Sequence, residues 1–549
     1  MSPSELDTIL QQLLLERDLQ AEDVEDFLHP DYKKLHDPML LPDMEKARDR
    51  VIDAMQSGEH IMVFSDYDAD GIPGAVVFSD FFQRAKYENV SFYIPHRHDE
   101  GFGLNCDAID AAVEKGAKLL VTIDCGIADV KEVEYANEKG VDVIITDHHE
   151  PGNKLPEAFA IVDHKRKDST YPFPELCGAA MAFKLVQAIL LKERFGIKEG
   201  MEKWSLDMVG IATLSDMVPL VGENRIFAKY GLDVLRKSPR PGLASLFKKL
   251  NMDQSHISED DIAFMITPRI NAASRMGKPE DAFRLLSTQN SLEAEKLALH
   301  LETINNERKG VVASLVKEAK AHLATRQDLP KVIVIGNPEW RPSLLGLVAN
   351  TLVEEYSRPV FVWGRDGDGT LKGSCRSYNG YHLHELMSGA SECFIEFGGH
   401  AGAGGFSLTL PNVARLEGEL SKVIENLEEG EGKLESEAHH IDISHIGEKL
   451  WSTIEKLSPF GTGNPKPIFT ISAEVKSAKN FGKTGGHLEV ILKSPEGRDL
   501  KAISFFTTLD SIGVPLEPGN KVHVLAHLEK SYFRNRPELR LRIVDIIEI

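Results

Sequence analysis

The sequence predicts an α/β protein of several domains: a parallel-sheet domain, a long helix, a second α/β lobe and a small C-terminal β-barrel. Three observations predict it. From about residue 51, short Val- and Ile-rich runs alternate with helical stretches, the spacing of parallel strands with crossover helices. The stretch "SLEAEKLALHLETINNERKGVVASLVKEAKAHLATRQ" then carries a charged, amphipathic helical period. Beyond "SPFGTGNPKPIF" (458–469), runs such as "HLEVIL", "KAISFF", "KVHVLAHL" and "LRLRIVDIIEI" alternate as antiparallel barrel strands do.

At 549 residues the chain exceeds one core, since a domain usually takes about 100–200 residues. The expected units are an N-terminal helical segment (1–50), a catalytic sheet domain (51–290), a helical linker (291–325), a second α/β domain (326–430) and a barrel (438–549). Pro and Asp punctuate the first unit at "FLHPDYKKLHDPMLLPDMEKARDRV". The sheet domain offers five runs: "HIMVFSD" (60–66), "VSFYIP" (90–95), "AKLLVTID" (117–124), "VDVIITD" (141–147) and "AFAIVD" (158–163). Four of these end in an aspartate: Asp66, Asp124, Asp147 and Asp163. Functional groups of parallel sheets gather at the carboxyl ends of strands, so that coincidence marks a site. The second lobe runs from "KVIVIGN" through "RPVFVWG" to "FIEFGGHAGAGGFSLTL", and the acidic "ENLEEGEGKLESE" (425–437) reads as a connector.

Apolar residues (42%) and charged residues (27%) have ordinary globular proportions, and no apolar run reaches the ~18 residues that would suggest a membrane span. The N-terminus lacks a basic segment followed by an apolar one, so a cytoplasmic location without a membrane is expected. Cys106, Cys125, Cys177, Cys375 and Cys393 form no CxxC pair, which argues for reduced, mostly buried thiols. A net charge of −22 argues against coating duplex DNA through bulk charge. It leaves room for a narrow basic channel and for bound cations.

In "VFSDYDADGIPG", Asp66, Asp68 and Asp70 alternate and Gly71 follows. Like charges so close raise one another's pKa unless a cation offsets them. In an extended backbone Asp68 and Asp70 share a side, and Gly71 permits a sharp turn. "TDHHEP" (146–151) adds His148 and His149, and oxygen with imidazole ligands suits Mn2+ or Mg2+. An aspartate at a strand-to-helix turn also serves as an N-cap, but four strand ends beside two histidines favour a shared ion.

At these residues the chain resembles the DHH/DHHA1 phosphoesterase superfamily and, within it, a family of bacterial single-strand-specific exonucleases. "DYDADG" (66–71), "TIDCG" (122–126), "TDHHEP" and "ATLSDMVPL" (212–220) resemble its four DHH motifs in order. "IPHRHDEGFGLN", "CGAAMAFKL" and "PRINAASRMG" are similar to further family segments, "GSCRS" and "GGHAGAGGF" to its DHHA1 domain, and "LSPFGTGNPKPIF" to the opening of its OB-type barrel.

The resemblance implies two divalent ions. Asp70, Asp124, His148 and Asp216 would hold one, Asp68 and Asp124 would contribute to the other, and Asp124 would bridge them. His149 would bind the phosphate or transfer a proton, or else orient or pack. Arg97, Ser374 and Arg376 would capture a 5′-terminal phosphate, although Arg97 could instead pair with Asp99 or Glu100. Arg269 and Arg275 would line the strand path, Phe102 would stack on a base or join the core, and His400 in the glycine-rich "FGGHAGAGG" could touch a phosphate. On the barrel, Lys476, Lys479, Lys483, Lys501, Lys530, Arg534 and Arg536 interleave with Phe481, Tyr532 and Phe533, a pattern suited to single strands.

Several positions depart from the family pattern. Phe64 stands where some relatives place a histidine, which puts the second ion in question. Pro73 replaces a usual Thr, Asp163 and His164 replace part of a usual "NPK", and Arg341 and Ser343 alter a usual pattern in the second lobe. The function implied is a metal-dependent 5′→3′ exonuclease of single-stranded DNA in recombination and repair. It would act as a monomer beside a single-strand-binding protein and a RecQ-type helicase. A phosphodiesterase of short oligonucleotides or cyclic dinucleotides is the alternative, and a catalytically silent binding subunit a third reading.

Overall fold

A computed structural model describes residues 3–17, 19–97, 99–366, 369–399, 402–427, 438–482, 485–494, 497, 499–532 and 537–548. The first sheet contains β1 (His60–Ser65), β2 (Val90–Tyr93), β3 (Ala117–Ile123), β4 (Asp142–Thr146) and β5 (Ala160–Val162), all parallel in the order β2-β1-β3-β4-β5. Apolar residues on both sides of the central strands let both faces be covered. Ile61 and Val63 face one core, while Met62 and Phe64 face the other. Asp66, Asp124, Asp147 and Asp163 each follow directly on a strand, so the sheet delivers four carboxyls to one edge.

The linker is one helix, Ser291–Leu323, whose N-terminus is capped by the Asn290 side chain accepting from Leu292 N and Glu293 N. Its 33 residues would span about 50 Å at the usual helical rise. The second lobe contains β6 (Ile333–Gly336), β7 (Val360–Arg365), β8 (Leu371–Arg376), β9 (Phe394–Gly399) and β10 (Ala403–Leu408), in the order β6-β7-β8-β10-β9. Only β6 and β7 pair in parallel. Its glycines serve close packing: a Cβ on Gly373 would lie 2.1 Å from the Phe406 ring, and one on Gly404 2.9 Å from Cys375 Sγ.

The barrel comprises β11 (His439–His440), β12 (Phe469–Phe481), β13 (His487–Lys493), β14 (Leu500–Phe505), β15 (Lys521–Ser531) and β16 (Glu538–Glu548), closed by pairing of β12 with β15. It is not wholly antiparallel, because β14 runs parallel to β16 and β11 to β12. Leu13, Leu14 and Phe27 of the N-terminal helices pack into the barrel core. Arg225, fully buried in the first domain, donates to the carbonyls of Phe27, Leu457 and Ser458, which ties the barrel's approach to that domain. All five cysteines are free and only Cys106 is exposed. Among the described residues no helix is long and apolar enough to cross a membrane.

Candidate active site

The three aspartates after β1 do not lie on an extended strand. The chain bends at once, because Asp68 Oδ1 accepts from Asp70 N at 2.8 Å and from Gly71 N at 3.2 Å and so starts the helix Gly71–Ala85. This corrects the shared-side expectation, and it gives Asp68 part of the capping role that an aspartate can play there. Gly71 permits a close approach, since a Cβ there would sit 2.5 Å from the Asp66 carbonyl oxygen. Asp70 turns to the N-terminus of the helix Gly178–Lys192, accepting from Gly178 N at 2.6 Å and Ala179 N at 2.8 Å.

Asp124 has a left-handed backbone, φ 62°, which a non-glycine residue holds only when its surroundings impose it. Gly178 packs against it, and a Cβ there would stand 2.5 Å from the Asp124 side chain. His148 Nε2 lies 3.0 Å from Asp124 Oδ1 and 3.6 Å from Asp70 Oδ2, and its Nδ1 lies 3.9 Å from Asp216 Oδ2. The expected first set of Asp70, Asp124, His148 and Asp216 is therefore brought together.

Ligand atoms lie within 4.8 Å of one another in three groups: Asp70, His148 and Asp216; Asp66, Asp68 and Asp124; and Asp124, His148 and His149. Asp124 is shared by two groups, as a bridging position requires. Asp66 was not among the expected ligands. Its signal in the sequence was its place at the end of the β1 run, like Asp124 at the end of β3. Phe64 is buried and stacks on Tyr93 at 5.8 Å, so it supplies no ligand, and the second group takes its third oxygen from Asp66 instead.

Burial, then neighbouring carboxylates, pushes Asp66 and Asp124 far above the usual range, Asp70 to about 7 and Asp216 to about 8. Asp66 Oδ1 is buried without a hydrogen-bond partner, and the buried Asp124 Oδ1 has only the His148 Nε2 contact at 3.0 Å, which is not aligned as a hydrogen bond. No Lys or Arg pairs with Asp66, Asp68, Asp70, Asp124 or Asp216 among the described residues. Burial and His149 hold His148 down at about 3, neutral and ready to ligate. An oxygen-rich donor set with one neutral imidazole fits Mn2+ or Mg2+, and the orphaned oxygens are what such an ion would satisfy.

Asp147 belongs to none of these groups. Its Oδ1 lies 2.7 Å from His149 Nδ1, and its Oδ2 accepts from Ile127 N at 2.9 Å. Burial alone would lower the His149 pKa, but that hydrogen bond and the Asp147 charge raise it to about 9. Phe102 is exposed, not core, and meets His149 edge-on with ring centroids 5.6 Å apart. Asp163 is fully buried and accepts from Lys165 N at 2.7 Å, and His164 Nδ1 lies 3.3 Å from Met181 Sδ. Neither joins a ligand group among the described residues.

Beside the acids stands a set of arginines. Arg97 lies over the Tyr67 ring at 4.9 Å and leaves Asp99 to His96 and Glu100 to Tyr93. Arg275 reaches from the first domain to donate to the Ser343 carbonyl at 2.6 Å, while Ser343 Oγ donates back to the Arg275 carbonyl at 3.2 Å. The departure at Ser343 thus falls on an inter-domain contact. Ser374 and Arg376 lie on β8, and Arg376 Nη2 occupies the space where a Gly346 Cβ would come within 2.9 Å. Burial, then Arg97, Arg308 and Arg376, lowers Arg275 to about 9. Arg97, Arg308 and Arg376 make no ion pair with a carboxylate among the described residues. Arg269, by contrast, is buried and committed to Glu302 at 2.9 Å and to the Met265 carbonyl.

Among the described residues the barrel does not present the free basic face that its lysines suggested. Lys476 pairs with Asp499, Lys479 with Glu489, Lys501 with Glu538 and Lys530 with Glu448, since an acidic chain supplies a partner on each adjacent element. Tyr532 stacks on His256 of the first domain at 4.0 Å. Phe481 clusters with His487 and Phe505. His400, Lys483, Phe533, Arg534 and Arg536 lie outside the described residues.

The parallel sheet with its strand-end acids defines a DHH-type protein. Residues 60–213 match the DHH family, N-terminal domain, residues 329–429 the DHHA1 domain and residues 439–545 the RecJ OB domain. The chain belongs to the RecJ family. It is 35% identical over 543 residues to "Single-stranded-DNA-specific exonuclease RecJ" of Bacillus subtilis, covering 98% of this chain and 67% of that one. The protein of the same name from Haemophilus influenzae is 30% identical, covering 94% and 92%. The crystal structure of RecJ in complex with Mn2+ from Thermus thermophilus superimposes with a TM-score of 0.79 at 26% identity, over 98% of this chain and 76% of that one. A manganese-bound exonuclease RecJ gives 0.60 at 30% identity, over 71% and 96%.

Proposed function

We propose that this chain is a metal-dependent 5′→3′ exonuclease that hydrolyses single-stranded DNA from a 5′ end. One observation carries the reading: a buried acid cluster that no Lys or Arg pairs with among the described residues adjoins Arg97, Arg308 and Arg376, which make no ion pair with a carboxylate among those residues. The first suits divalent ions, the second a terminal phosphate, and a phosphodiester fits between them.

Asp70, Asp124, His148 and Asp216 would hold one ion, and Asp66, Asp68 and Asp124 a second. Bound Mn2+ or Mg2+ supplies a nucleophilic water at neutral pH and offsets charge on the scissile phosphate. His148 stays neutral and keeps its lone pair for ligation. His149, fixed through Nδ1 by Asp147 and protonated at neutral pH, offers Nε2–H to a phosphate oxygen or to the leaving oxygen. Arg97, Ser374 and Arg376 hold the 5′-terminal phosphate through forked and hydroxyl donors. Because Arg376 comes from the second lobe and Arg275 is tied to it through Ser343, the terminus is gripped across both domains. Phe102, exposed beside His149, stacks on a base.

The same reading makes the chain a cytoplasmic monomer in recombination and repair, alongside a single-strand-binding protein and a RecQ-type helicase. The test is cleavage of a 5′-phosphorylated strand carrying a 3′ label, with Mn2+ or Mg2+. Short 5′ products appearing while the label stays on a shrinking strand are expected. Release of the label first, unchanged turnover with chelator, or turnover of cyclic dinucleotides alone would overturn it.

A further inference from the structure

Asp216 differs from the other expected ligands in how it is held. The Asp70 and Asp124 side chains are 2% and 4% exposed and rest against the start of the helix Gly178–Lys192. The Asp216 side chain is 29% exposed, at the end of the helix Leu206–Ser215, where a loop begins that runs to the helix Gly222–Leu235. The next residue, Met217, is exposed and has a left-handed backbone, φ 60°, which its surroundings must impose.

Those surroundings include the approach to the barrel. Leu220 N donates to the Thr462 carbonyl at 2.8 Å, while the Pro219 carbonyl accepts from Asn224 Nδ2 at 3.1 Å. Gly461 and Gly463 flank Thr462, and a Cβ on them would stand 2.9 Å from Leu220 Cδ1 and 3.2 Å from Pro219 Cβ, so the tip lies flush on the loop. Leu220 belongs to the core of the first domain and has little room to give way. The tip itself is fixed by polar groups. Asn464, fully buried, donates through Nδ2 to the carbonyls of Leu457 at 2.8 Å and Pro459 at 2.7 Å, and its Oδ1 accepts from Arg17 Nε at 2.6 Å. Arg225 holds the carbonyls of Leu457 and Ser458, so the helix Gly222–Leu235 that receives the loop also anchors the base of the tip. Buried polar groups that satisfy one another specify one geometry, where apolar contact alone would add only area.

We infer that the barrel domain positions a metal ligand: the tip Gly461–Thr462–Gly463 holds the loop that places Asp216, so seating of the barrel sets the affinity of the ion held with Asp70 and His148 and leaves the ion of Asp66 and Asp68 unaffected. The inference rests on the two-ion reading of the site. A carboxylate borne on a loop binds its ion only as tightly as the loop is held, because the freedom it has without the ion is lost on binding. Thr462, Gly461 and Gly463 are therefore positioning residues that act through Pro219 and Leu220.

The test is Mn2+ titration of the full chain without DNA, read by pulsed electron paramagnetic resonance, in which coupling to nitrogen marks the ion at His148. Gly461→Val drives a side chain between the tip and Leu220 from an exposed position, and Gly463→Ala is the milder wedge beside Pro219, with melting curves in chelator to confirm folding. Gly461→Val should weaken the nitrogen-coupled ion about tenfold or more and Gly463→Ala less, with the other ion kept within about twofold. By reciprocity, Mn2+ should slow hydrogen exchange at the Leu220 amide in the unsubstituted chain and do so less in Gly461→Val. Equal weakening of both ions would reduce the tip to ordinary packing, and an unchanged nitrogen-coupled ion would leave Asp216 independent of the barrel; either result overturns the inference while the two-ion site stands. An unsubstituted chain that takes up no nitrogen-coupled ion overturns the metal reading and the inference with it.

Discussion

The helix Gly71–Ala85 has a buried carboxyl at each end, and the two are treated in opposite ways. Near its C-terminus, Asp80 meets Arg240, which donates to Asp80 Oδ1 at 3.0 Å and to Asp207 Oδ2 at 2.7 Å, while Ser205 and Ser238 satisfy further oxygens. Burial would lower the Arg240 pKa, but the two acids outweigh it and raise it. Lys184 and Glu223 repeat the pattern at 2.6 Å, with Tyr171 and the His36 N–H completing the shell. At the N-cap, Asp70 stands among Asp68, Asp124 and Asp216 with no Lys or Arg paired to it among the described residues, and the neutral His148 Nε2 lies 3.6 Å away. Compensated charge in this domain holds the fold; uncompensated charge marks where an ion belongs.

Substitutions at the two ends should separate these roles. Asp124→Ala removes the shared ligand and should lower cleavage by about 10^4-fold or more, ~5 kcal/mol of barrier, while raising the melting temperature in chelator. Loss of stability instead would make Asp124 structural. Arg240→Met should do the reverse. It leaves Asp207 without a cation and Asp80 with only Arg84 at 3.5 Å, and unfolding in urea should show a loss of about 3–5 kcal/mol, with turnover per folded molecule retained. Replacing all three charges by apolar residues should recover most of that loss.

Metal addition gives a smaller effect of the same kind. Mn2+ at about a hundred times its Kd should stabilise the unsubstituted chain by about 2.7 kcal/mol, the Arg240→Met chain equally and the Asp124→Ala chain hardly at all. An equal rise in all three would place the ion elsewhere.

The sheet and its acids were legible because both signals are local: a β-branched run closed by an aspartate places the carboxyl at a strand end whatever packs around it. What was not legible depends on distant segments. Asp68 and Asp70 looked like neighbours on a strand, but the turn into the helix Gly71–Ala85 gives Asp68 a capping role and sends Asp70 to Gly178, more than a hundred residues on. Arg269 and Arg275 read alike in "PRINAASRMG", yet Glu302 claims one and Ser343 the other. The barrel lysines read as a basic face because their partners, Asp499, Glu489, Glu538 and Glu448, lie on other elements. The N-terminal leucines show amphipathicity but not which core takes them.

Asp163 is the test case between the two classes. Like the ligands it follows a strand and is fully buried, and burial lifts its pKa to about 8. Unlike them it joins no ligand group and accepts from its own loop at Lys165 N. With the folded value above the ordinary value of about 3.9, the folded state binds the proton more tightly. The stabilising contribution is therefore complete below about pH 4 and is lost as pH rises towards 8. Asp163→Asn keeps the neutral shape at every pH. The variant and the unsubstituted chain should melt alike near pH 4, and the variant should be more stable by several kcal/mol, at most about 5 kcal/mol, near pH 8. Its Mn2+ response should match that of the unsubstituted chain. A weakened Mn2+ response would move Asp163 into the ligand set and shift the line between structural and ion-holding carboxyls one strand further along the sheet.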